Sequence, residues 1–430
     1  MSEIQYFPLN TLVKRVKVGF VGSIDDYYCN KDNGVRLYRT TNLTDGGLSD
    51  NDVKYVTYDF HQRNKKSQLH RNDILIARHG DNGKACVFEN DFPAQALNVV
   101  IIEPDLKKMS PYLLRYMLES EYVKRQIQGA VGGSVQGVVN TDTIANLSIP
   151  IISNIDYLAV EQILTNIDAK IGNNNAICSN LEAMAKLLYD YWFVQFDFPD
   201  ENGKPYKSSG GKMVWNEDLK REIPAGWEVK RVGDIISTER GISYSTPNIK
   251  TGEGVPMLNL ATFMPGGGDY KADGLKHYLG DYPKNKVLKP YELIMCNTQQ
   301  TAIKFETDII GRAMLVPDIF DGDVVFSHHV NVIRTMDEDM KYYLLYLFNS
   351  DYYHKYISGF TNGTNILGLS FNGVEDYLTE SPSAKILKMF GERVLEVEKK
   401  KSEIFLENQQ LASLRDFLLP MLMNGQVKVG

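Results

Sequence analysis

The sequence predicts an α/β fold of the mixed α+β kind, with two pseudo-repeated globular units and two long helices that pair as an antiparallel coiled coil. Three observations predict it. An apolar heptad pattern runs unbroken through the middle of the chain, a second copy follows 230 residues later, and the globular segments align at nearly the same offset. A chain of 430 residues also exceeds what one hydrophobic core normally serves.

The first globular unit is predicted to occupy residues 1–152. Short apolar runs alternate there with polar, Gly-containing loops, and the segment "LHRNDILIARHGDNGKACVF" indicates strand, loop, strand. The segment from Met109 to Ile127 has the spacing of a helix. Short strands with at least one helix indicate a mixed α+β domain.

The central long helix is predicted within residues 153–196. Apolar residues recur at alternating steps of four and three, and Gly172 is the only Gly or Pro along them. A helix of this length extends roughly 50 Å at about 1.5 Å per residue. A single heptad stripe is more often a core helix of an ordinary domain, but its repetition favours a paired helix. The seam positions are Val160, Leu164, Ile167, Ile171, Asn174, Cys178, Leu181, Ala185, Leu188 and Trp192.

The second globular unit is predicted within residues 197–382, after a linker rich in Gly, Pro and Ser. The segment "KYYLLYLFNSDYYHKYISG" aligns with "PYLLRYMLESEYVKRQIQG" at an offset of 230. Further upstream the offset is 220, where "GVPMLNLATFMPGG" aligns with "GVRLYRTTNLTDGG" and Trp227 with Phe7. Loop insertions account for the drift.

The distal long helix and the C-terminal tail are predicted within residues 383–430. Its polar seam positions would fix the register of a helix pair together with Asn174, or would instead face a partner protein. The repeated seam consists of Phe390, Val394, Val397, Lys401, Ile404, Asn408, Leu411, Arg415, Leu418 and Leu422.

Composition narrows the functional classes. The formal net charge is −7, so nucleic-acid binding would depend on local basic patches rather than on bulk charge. The four cysteines have no CxxC pair and no His at zinc spacing, which indicates reduced thiols and no structural metal. Because the sequence has neither a signal peptide nor a long apolar segment, we expect a cytoplasmic protein without membrane contact.

Three segments and their order resemble the specificity subunits of type I restriction-modification systems. These are "YDYWFVQFDFP" after the central helix, "IPAGWEVKRVGDI" at the start of the second unit and "LASLRDFLLPMLMNGQV" near the end of the chain. The resemblance extends over the whole chain, including its internal duplication.

This resemblance implies a non-catalytic DNA-recognition subunit. Each globular unit would be a target-recognition domain that reads one half of a bipartite sequence in double-stranded DNA. The helices would set the spacer and dock two modification (methyltransferase) subunits, and roughly 50 Å of helix corresponds to about 14 base pairs. S-adenosylmethionine, ATP and Mg would be bound by these subunits and by the restriction (ATP-dependent translocase and nuclease) subunits, with no cofactor in this chain.

Two equivalent loops are the first candidates for contacts to bases. They are "ARHGDNGKA" and "CNTQQTAIKFETDIIGRA", and they differ from each other more than their surroundings do. Arg and Lys suit guanine or phosphate, whereas Asn and Gln suit adenine. An ordinary solvated hairpin loop is an equally good interpretation for any single residue. The candidates are Arg78, His79, Lys84, Asn297, Gln299, Gln300, Lys304 and Arg312.

Two basic segments are candidates for phosphate contacts, "HQRNKKSQLHR" and its counterpart "KHYLGDYPKNKVLK". Such charge runs are usually solvated faces. Two Gly-rich segments, "GAVGGSVQG" and "GFTNGTNILG", also occupy matching positions, where they would approach DNA or end a helix. The basic candidates are Arg63, Lys65, Lys66, His70 and Arg71 in the first unit and Lys276, Lys284, Lys286 and Lys289 in the second.

The motifs of a self-sufficient methyltransferase or nuclease are missing. No Asn or Asp precedes Pro-Pro and an aromatic residue, and no GxxxxGK[ST] segment occurs. The His pair in "SHHVN" lacks neighbouring carboxylate or Cys ligands, so we expect a structural role and no catalytic or metal site.

A coiled-coil scaffold with two protein-binding lobes is the alternative function. The divergence of the two loops argues against it, because two equal docking tasks need no such difference. The aromatic residues Tyr189, Tyr191, Trp192 and Phe193 are candidates for the interface with a modification subunit. Packing against the chain's own domains is the equally weighted alternative.

Overall fold

The computed structural model describes residues 4–44, 47–50, 52–78, 83–131, 139–153, 155–300 and 307–423. The chain divides into two compact units. Unit 1 comprises Met1–Asn174 and Asn408–Gly430, and unit 2 comprises Asn175–Glu407. Each long helix therefore contributes one part to each unit.

Unit 1 contains short strands and, before its long helix, short helices. The strands are β1 (Ile4–Pro8), β2 (Val13–Val18), β3 (Gly34–Arg39), β4 (Leu43–Thr44), β5 (Gly47–Leu48), β6 (Lys54–Thr57), β7 (Gln68–Leu69), β8 (Ile74–Ala77), β9 (Ala85–Val87), β10 (Ala94–Leu97), β11 (Val99–Pro104) and β12 (Ser148–Ile152). The helices are α1 (Tyr58–Arg63), α2 (Pro111–Glu119), α3 (Glu121–Val131), α4 (Thr141–Ala145) and α5 (Tyr157–Tyr189).

Two sheets form the body of unit 1. The first is antiparallel with the order β2-β11-β8-β9, and the second has the order β6-β3-β10-β7 with β3 and β10 parallel. On β8, Ile74 and Ile76 pack in the cluster that includes α2, whereas Leu75 and Ala77 pack with β10. Both faces of this strand are buried, which explains its uninterrupted apolar sequence.

Unit 2 is built from the same kinds of element. The strands are β13 (Met213–Asn216), β14 (Arg221–Pro224), β15 (Glu228–Arg231), β16 (Ile236–Arg240), β17 (Ile249–Lys250), β18 (Val255–Leu258), β19 (Lys276–Tyr278), β20 (Val287–Leu288), β21 (Leu293–Cys296), β22 (Thr298–Gln300), β23 (Ala313–Leu315), β24 (Val324–Phe326), β25 (Val330–Thr335), β26 (Thr361–Asn362), β27 (Ile366–Leu369) and β28 (Leu378–Ser381). The helices are α6 (Met340–Asn349), α7 (Asp351–Ile357), α8 (Asn372–Glu375) and α9 (Ala384–Met423).

The sheets of unit 2 repeat those of unit 1, which confirms the predicted duplication. The order β16-β25-β21-β23 matches β2-β11-β8-β9, and the parallel pair β18 and β24 matches β3 and β10. Both predicted strand-loop-strand segments form antiparallel pairs, β8 with β9 and β21 with β23. Even an unusual backbone conformation recurs, since Asn72 and Tyr291 precede equivalent strands by two residues with φ of 76° and 63°.

One detail of the predicted alignment is wrong. The Leu9 amide donates to the Leu147 carbonyl at 2.9 Å, and the Val232 amide makes the equivalent bond to Tyr377 at 2.8 Å. Leu9 thus corresponds to Val232, so Phe7 does not align with Trp227. The pairings of β1 with β12 and of β15 with β28 show the same three-residue shift.

The helix predicted from Met109 to Ile127 is two helices, α2 and α3, separated by Ser120. Ser120 is extended, with ψ of 147°, and its hydroxyl donates to the Met117 carbonyl at 2.7 Å. Ser350 separates α6 from α7 in the same way and bonds to the Leu347 carbonyl at 2.7 Å. A serine side chain that competes for backbone bonds breaks the helix at the same place in both units.

Both long helices form as predicted, and they run antiparallel within each unit. In unit 1 the Asn174 side chain donates to the Asn408 side chain at 2.8 Å, while Arg415 pairs with Asp168 at 3.0 Å. The residue number rises along one helix as it falls along the other. The last seam position, Trp192, lies in a π-helical turn from Asp190 to Val194 that follows α5. None of the described helices combines the length and apolar character needed to cross a bilayer.

A half-buried ionic cluster joins the globular part of unit 1 to both long helices. The carboxylate of Asp168 on α5 accepts bonds from Arg115 at 2.5 Å, from Tyr116 at 2.6 Å and from Arg415 at 3.0 Å. Arg115 and Tyr116 belong to α2, whereas Arg415 belongs to α9. Burial alone would raise the pKa of Asp168, but the attraction of Arg115 and the three hydrogen bonds hold it below its usual range.

Unit 2 has a cluster of the opposite polarity at the corresponding junction. Its centre is the ammonium group of Lys401 on α9, which lies 3.1 Å from Glu398, 3.3 Å from Asp269 and 3.5 Å from Glu182. Glu182 belongs to α5, and Asp269 to a loop of the globular part. Burial, together with a hydrogen bond to Asp269, raises the pKa of Glu182 to about 7.

Candidate nucleic-acid interface

The hairpin between β8 and β9 holds Arg78 at its base. The Arg78 Nε donates to the Val139 carbonyl at 3.0 Å, and the Val139 amide donates back to the Arg78 carbonyl at 3.1 Å. At the other side, the Lys84 carbonyl accepts from the Ala77 amide at 3.1 Å. Arg78 and Lys84 are half-buried, and His79 lies outside the described residues.

The basic segment of unit 1 is fixed to the sheet by one buried side chain. Gln95 of β10 accepts a hydrogen bond from the Ser67 hydroxyl at 2.6 Å and donates to the Asn64 carbonyl at 3.3 Å. This anchors the 3-10 turn Lys65–Ser67, on which Lys65 and Lys66 are exposed. Neither lysine makes an ion pair with the described residues, so both are available to a phosphate.

Two of the other three basic candidates of unit 1 are arginines with carboxylate partners. Arg63 pairs with Asp59 at 2.9 Å within α1, and Arg71 pairs with Asp91 at 2.8 Å. These pairs are well exposed to solvent, where they contribute little and exchange readily for another anion.

The candidate loop of unit 2 is held by the side chains that were expected to read DNA. Asn297, Gln299 and Arg312 are 6%, 5% and 3% exposed. Gln299 accepts from the Ile309 amide at 2.7 Å, and Arg312 donates to the Asn349 carbonyl at 2.6 Å. These bonds give Gln299 and Arg312 a part in shaping the loop, and their contact with DNA stays a prediction.

Gln300 and Lys304 complete that candidate set. Gln300 lies on β22, where its backbone pairs with Ile366 of β27, and Lys304 lies outside the described residues. Strands β26 and β27 are the hairpin formed by the second Gly-rich segment, with Gly363 at a φ of +124°. Two segments that the sequence presented separately therefore form one sheet.

The basic segment of unit 2 differs from its counterpart in charge. Its 3-10 turn Lys284–Lys286 precedes β20 as the turn Lys65–Ser67 precedes β7. Lys286 is neutralised by Glu239 at 2.8 Å and also donates to the Arg240 carbonyl at 2.6 Å. Lys289 is exposed, so it remains the better phosphate candidate of the two.

A third group of polar side chains in unit 2 surrounds the His pair, and it was not predicted as a site from the sequence. The rings of His328 and His329 lie 3.9 Å apart, and Thr298 bonds to His329 at 2.6 Å. Arg240 donates through Nε to the His328 carbonyl at 2.7 Å. The one available signal was the adjacency of the two histidines, which alone indicates a structural role. No cluster of His, Cys, Asp and Glu in the described part of the chain is arranged to hold a metal ion.

The aromatic segment after α5 is mostly used inside unit 2. Tyr189, Trp192 and Phe193 are 3–6% exposed and pack in its core, where all three contact Phe390. These three rings are thus occupied by intramolecular packing, which was the equally weighted alternative to a partner interface. Tyr191 is 38% exposed and stays a candidate for a partner contact.

The two units match one family description. Residues 16–183 and 224–403 both match the type I restriction modification DNA specificity domain. The chain belongs to this family. It is a type I specificity subunit, the component that recognises the DNA target.

Proteins of similar sequence or structure are also named specificity subunits. The type I restriction enzyme MjaIX specificity subunit of Methanocaldococcus jannaschii is 25% identical over 328 residues, which cover 75% of this chain and 70% of the relative. The HindI specificity subunit of Haemophilus influenzae is 22% identical over 422 residues, covering 84% and 88%. The crystal structure of the type I S subunit from M. genitalium matches with a TM-score of 0.53 and 14% identity, covering 98% and 96%, and so shares the fold.

Proposed function

We propose that each unit of this specificity subunit reads one half of a bipartite DNA sequence. The observation that supports this proposal is the duplicated topology with unlike loops. The same strand order occurs twice, yet the loop after β8 has five residues between Arg78 and Lys84 and the loop after β21 is much longer. Equivalent scaffolds with different loops suit the reading of two different half-sites.

The paired helices supply the spacer in this proposal. Their ionic and amide contacts, such as Asn174 with Asn408, favour a single register, and a fixed register means a fixed distance along the helices. The exposed Tyr191 is the candidate for docking one of two modification subunits.

Catalysis belongs to the partner subunits in this proposal, and the chain itself is non-catalytic. The modification subunits would bind S-adenosylmethionine, and the restriction subunits would use ATP and Mg for translocation and cleavage. The complex would act in the cytoplasm, where the DNA that it modifies is found.

The test is to map N6-methyladenine by sequencing in cells that express this chain with its modification subunit. Cells that lack the chain are the control. Methylation at one split motif, present only with the chain, is the expected result. No methylation, despite a stable complex and a modification subunit proven active with another specificity subunit, would contradict the proposal.

A further inference from the structure

A basic site in unit 2, here called the histidine cleft, consists of two cavities lined by Arg240 and by His329, with His328 and Lys276 close beside them. Tyr244 links its parts, since its ring lies 5.4 Å from the His328 ring and 5.7 Å from the Lys276 ammonium group. His329 is fixed by Thr298, whose side chain lines two adjoining cavities of about 380 and 560 Å³. Arg240 lines the first cavity and His329 the second.

The cleft carries positive charge without a carboxylate partner among the described residues. Arg240 and Lys276 form no ion pair there, whereas the nearby Lys286 and Arg334 are both paired with Glu239. Burial, followed by the electrostatic influence of His328, Arg240 and Lys276, lowers the pKa of His329 to about 4. In a chain with a net charge of −7, uncompensated cations that converge on one cleft indicate an anionic ligand.

Polar atoms inside the cleft also lack partners. Asn297 Oδ1 and His328 Nδ1 are buried and form no hydrogen bond with the described residues. Asn297 is 6% exposed and lines the first cavity, next to Arg240. A phosphate oxygen only accepts hydrogen bonds, so the Nδ1–H tautomer of His328 would donate to it directly, whereas Asn297 Oδ1 would need a bridging water.

Hydrogen bonds of its side chain and its backbone hold Arg240 at the edge of the cleft. Its Nε bonds to the His328 carbonyl, and its own carbonyl accepts from Lys286. The next residue, Gly241, packs so closely that a Cβ there would lie 2.3 Å from the Phe326 carbonyl oxygen. The remaining guanidinium nitrogens are thus positioned in advance, without a carboxylate to occupy them.

We propose that the histidine cleft binds a backbone phosphate of the DNA half-site read by unit 2, with Arg240 and Lys276 supplying the charge. This proposal rests on the proposed function. It places a main electrostatic contact of unit 2 on β16, β19 and the turn before β25, rather than on the loop after β21.

The test measures the binding of the complex of this chain and its modification subunit to a labelled duplex that contains the mapped methylation motif. Arg240→Gln and Lys276→Gln should each weaken binding roughly eightfold at about 0.1 M salt, because each lost phosphate contact retains about 0.9 counterion on the DNA. Each should also make the negative slope of log affinity against log salt shallower by about 0.9. Lys230→Gln, at a half-exposed lysine paired with Glu228, is the matched control.

Arg240→Lys separates charge from shape and should keep the salt slope of the parent chain. Unchanged affinity and slope in both Gln variants would overturn the proposal, as would an Arg240→Lys variant with the reduced slope of Arg240→Gln. A parent chain that directs no methylation would instead contradict the proposed function, so the two failures can be told apart. A melting temperature equal to that of the parent chain shows that a variant keeps its fold, so that a change in binding comes from the side chain.

Discussion

Asp168 is the residue through which the globular part of unit 1 is tied to both long helices. Asp168→Asn removes the charge that Arg115 and Arg415 share, although Arg115 keeps Glu119 and Arg415 keeps Asp416. Breaking a buried pair costs about 3–5 kcal/mol, and we expect the lower end here because Asp168 is only half-buried and both arginines keep another partner. The free energy of unfolding in urea measures the loss.

The exposed Asp26, in the same unit, gives the control variant Asp26→Asn. Its effect should stay within about 0.5 kcal/mol. Equal stability of the two variants would show that Asp168 contributes nothing as an ionic centre. The lowered pKa of Asp168 also predicts a dependence on pH. The contribution of Asp168 to the free energy of unfolding is fully present above its ordinary pKa of 3.8 and is lost as the pH falls further.

Glu182 should make the stability of the protein depend on pH in the opposite sense. Burial and its bond to Asp269 raise its pKa from 4.5 to about 7. Between these values the folded protein keeps a proton that the unfolded chain has lost, so the free energy of unfolding falls as the pH rises. Above pH 7 this contribution is constant.

Glu182→Gln should therefore reduce the fall in stability between pH 4.5 and 7, measured by urea unfolding at a series of pH values. The control is Glu403→Gln, at an exposed glutamate paired with Lys400. A Glu182→Gln profile parallel to that of the parent chain would show that Glu182 titrates normally.

At the scale of elements, the sequence predicted most of the fold. The heptad patterns predicted both long helices and their antiparallel pairing, because two copies of one apolar stripe can bury each other. The strand-loop-strand segments were also predicted correctly. The offset near the start of each unit was not, since β1 and β15 are exposed, short and weakly patterned, and only their pairing with β12 and β28 fixes the register.

The candidate site was less predictable than the fold. The polarity of Gln299 and Arg312 suggested contacts with DNA. Their hydrogen-bond partners in the folded chain, the Ile309 amide and the Asn349 carbonyl, are 10 and 37 residues away in the sequence. Arg240 had no motif around it, and Lys276 and the His pair join it only through tertiary packing. Burial decides whether a polar side chain holds the fold or meets a ligand, and burial is a property of the folded chain.

The amide pair between Asn174 and Asn408 should couple the two long helices energetically. A double-mutant cycle with Asn174→Ala and Asn408→Ala should give a coupling of about 1 kcal/mol, the net value of a typical hydrogen bond. Urea unfolding of the four proteins measures it. The exposed pair Gln162 and Asn166, bonded at 2.8 Å within α5, is the comparison and should couple by only about 0.2–0.5 kcal/mol. Equal coupling energies for the two pairs would show that the bond between Asn174 and Asn408 stabilises the helix pair no more than an exposed bond does.

At the scale of the whole molecule, affinity for DNA must come from local cations, because the chain is acidic overall. A double variant with Lys65→Gln and Lys66→Gln should make the negative slope of log affinity against log salt shallower by about 1.8, because each lysine would contact one phosphate. The methylated motif itself should stay the same, since phosphate contacts carry no sequence information. Binding of the complex to duplex DNA at several salt concentrations measures the slope, and a changed motif would mean that these lysines touch bases.

The duplication leads to a stronger prediction about specificity. Gln5 pairs with Ile151 as Glu228 pairs with Ser381, so residues 5–151 begin and end at the same positions of the fold as residues 228–381. The contact between the exchanged unit and the long helices is chemically compatible as well. In the exchanged chain Arg115 would stand in place of Leu345, which lines one cavity together with Glu398. Glu398 is the counterpart of Asp168 at the offset of 230, so Arg115 would again have a carboxylate partner.

A chain in which residues 5–151 replace residues 228–381 should therefore fold and carry two copies of one recognition unit. Because the two units would then be copies of one sequence, they should read two copies of one half-site. Methylation mapping should then find a split motif in which both halves are the half-site that belongs to unit 1. If the exchanged chain assembles with its modification subunit but still directs methylation to the original asymmetric motif, then unit 2 does not read a half-site on its own.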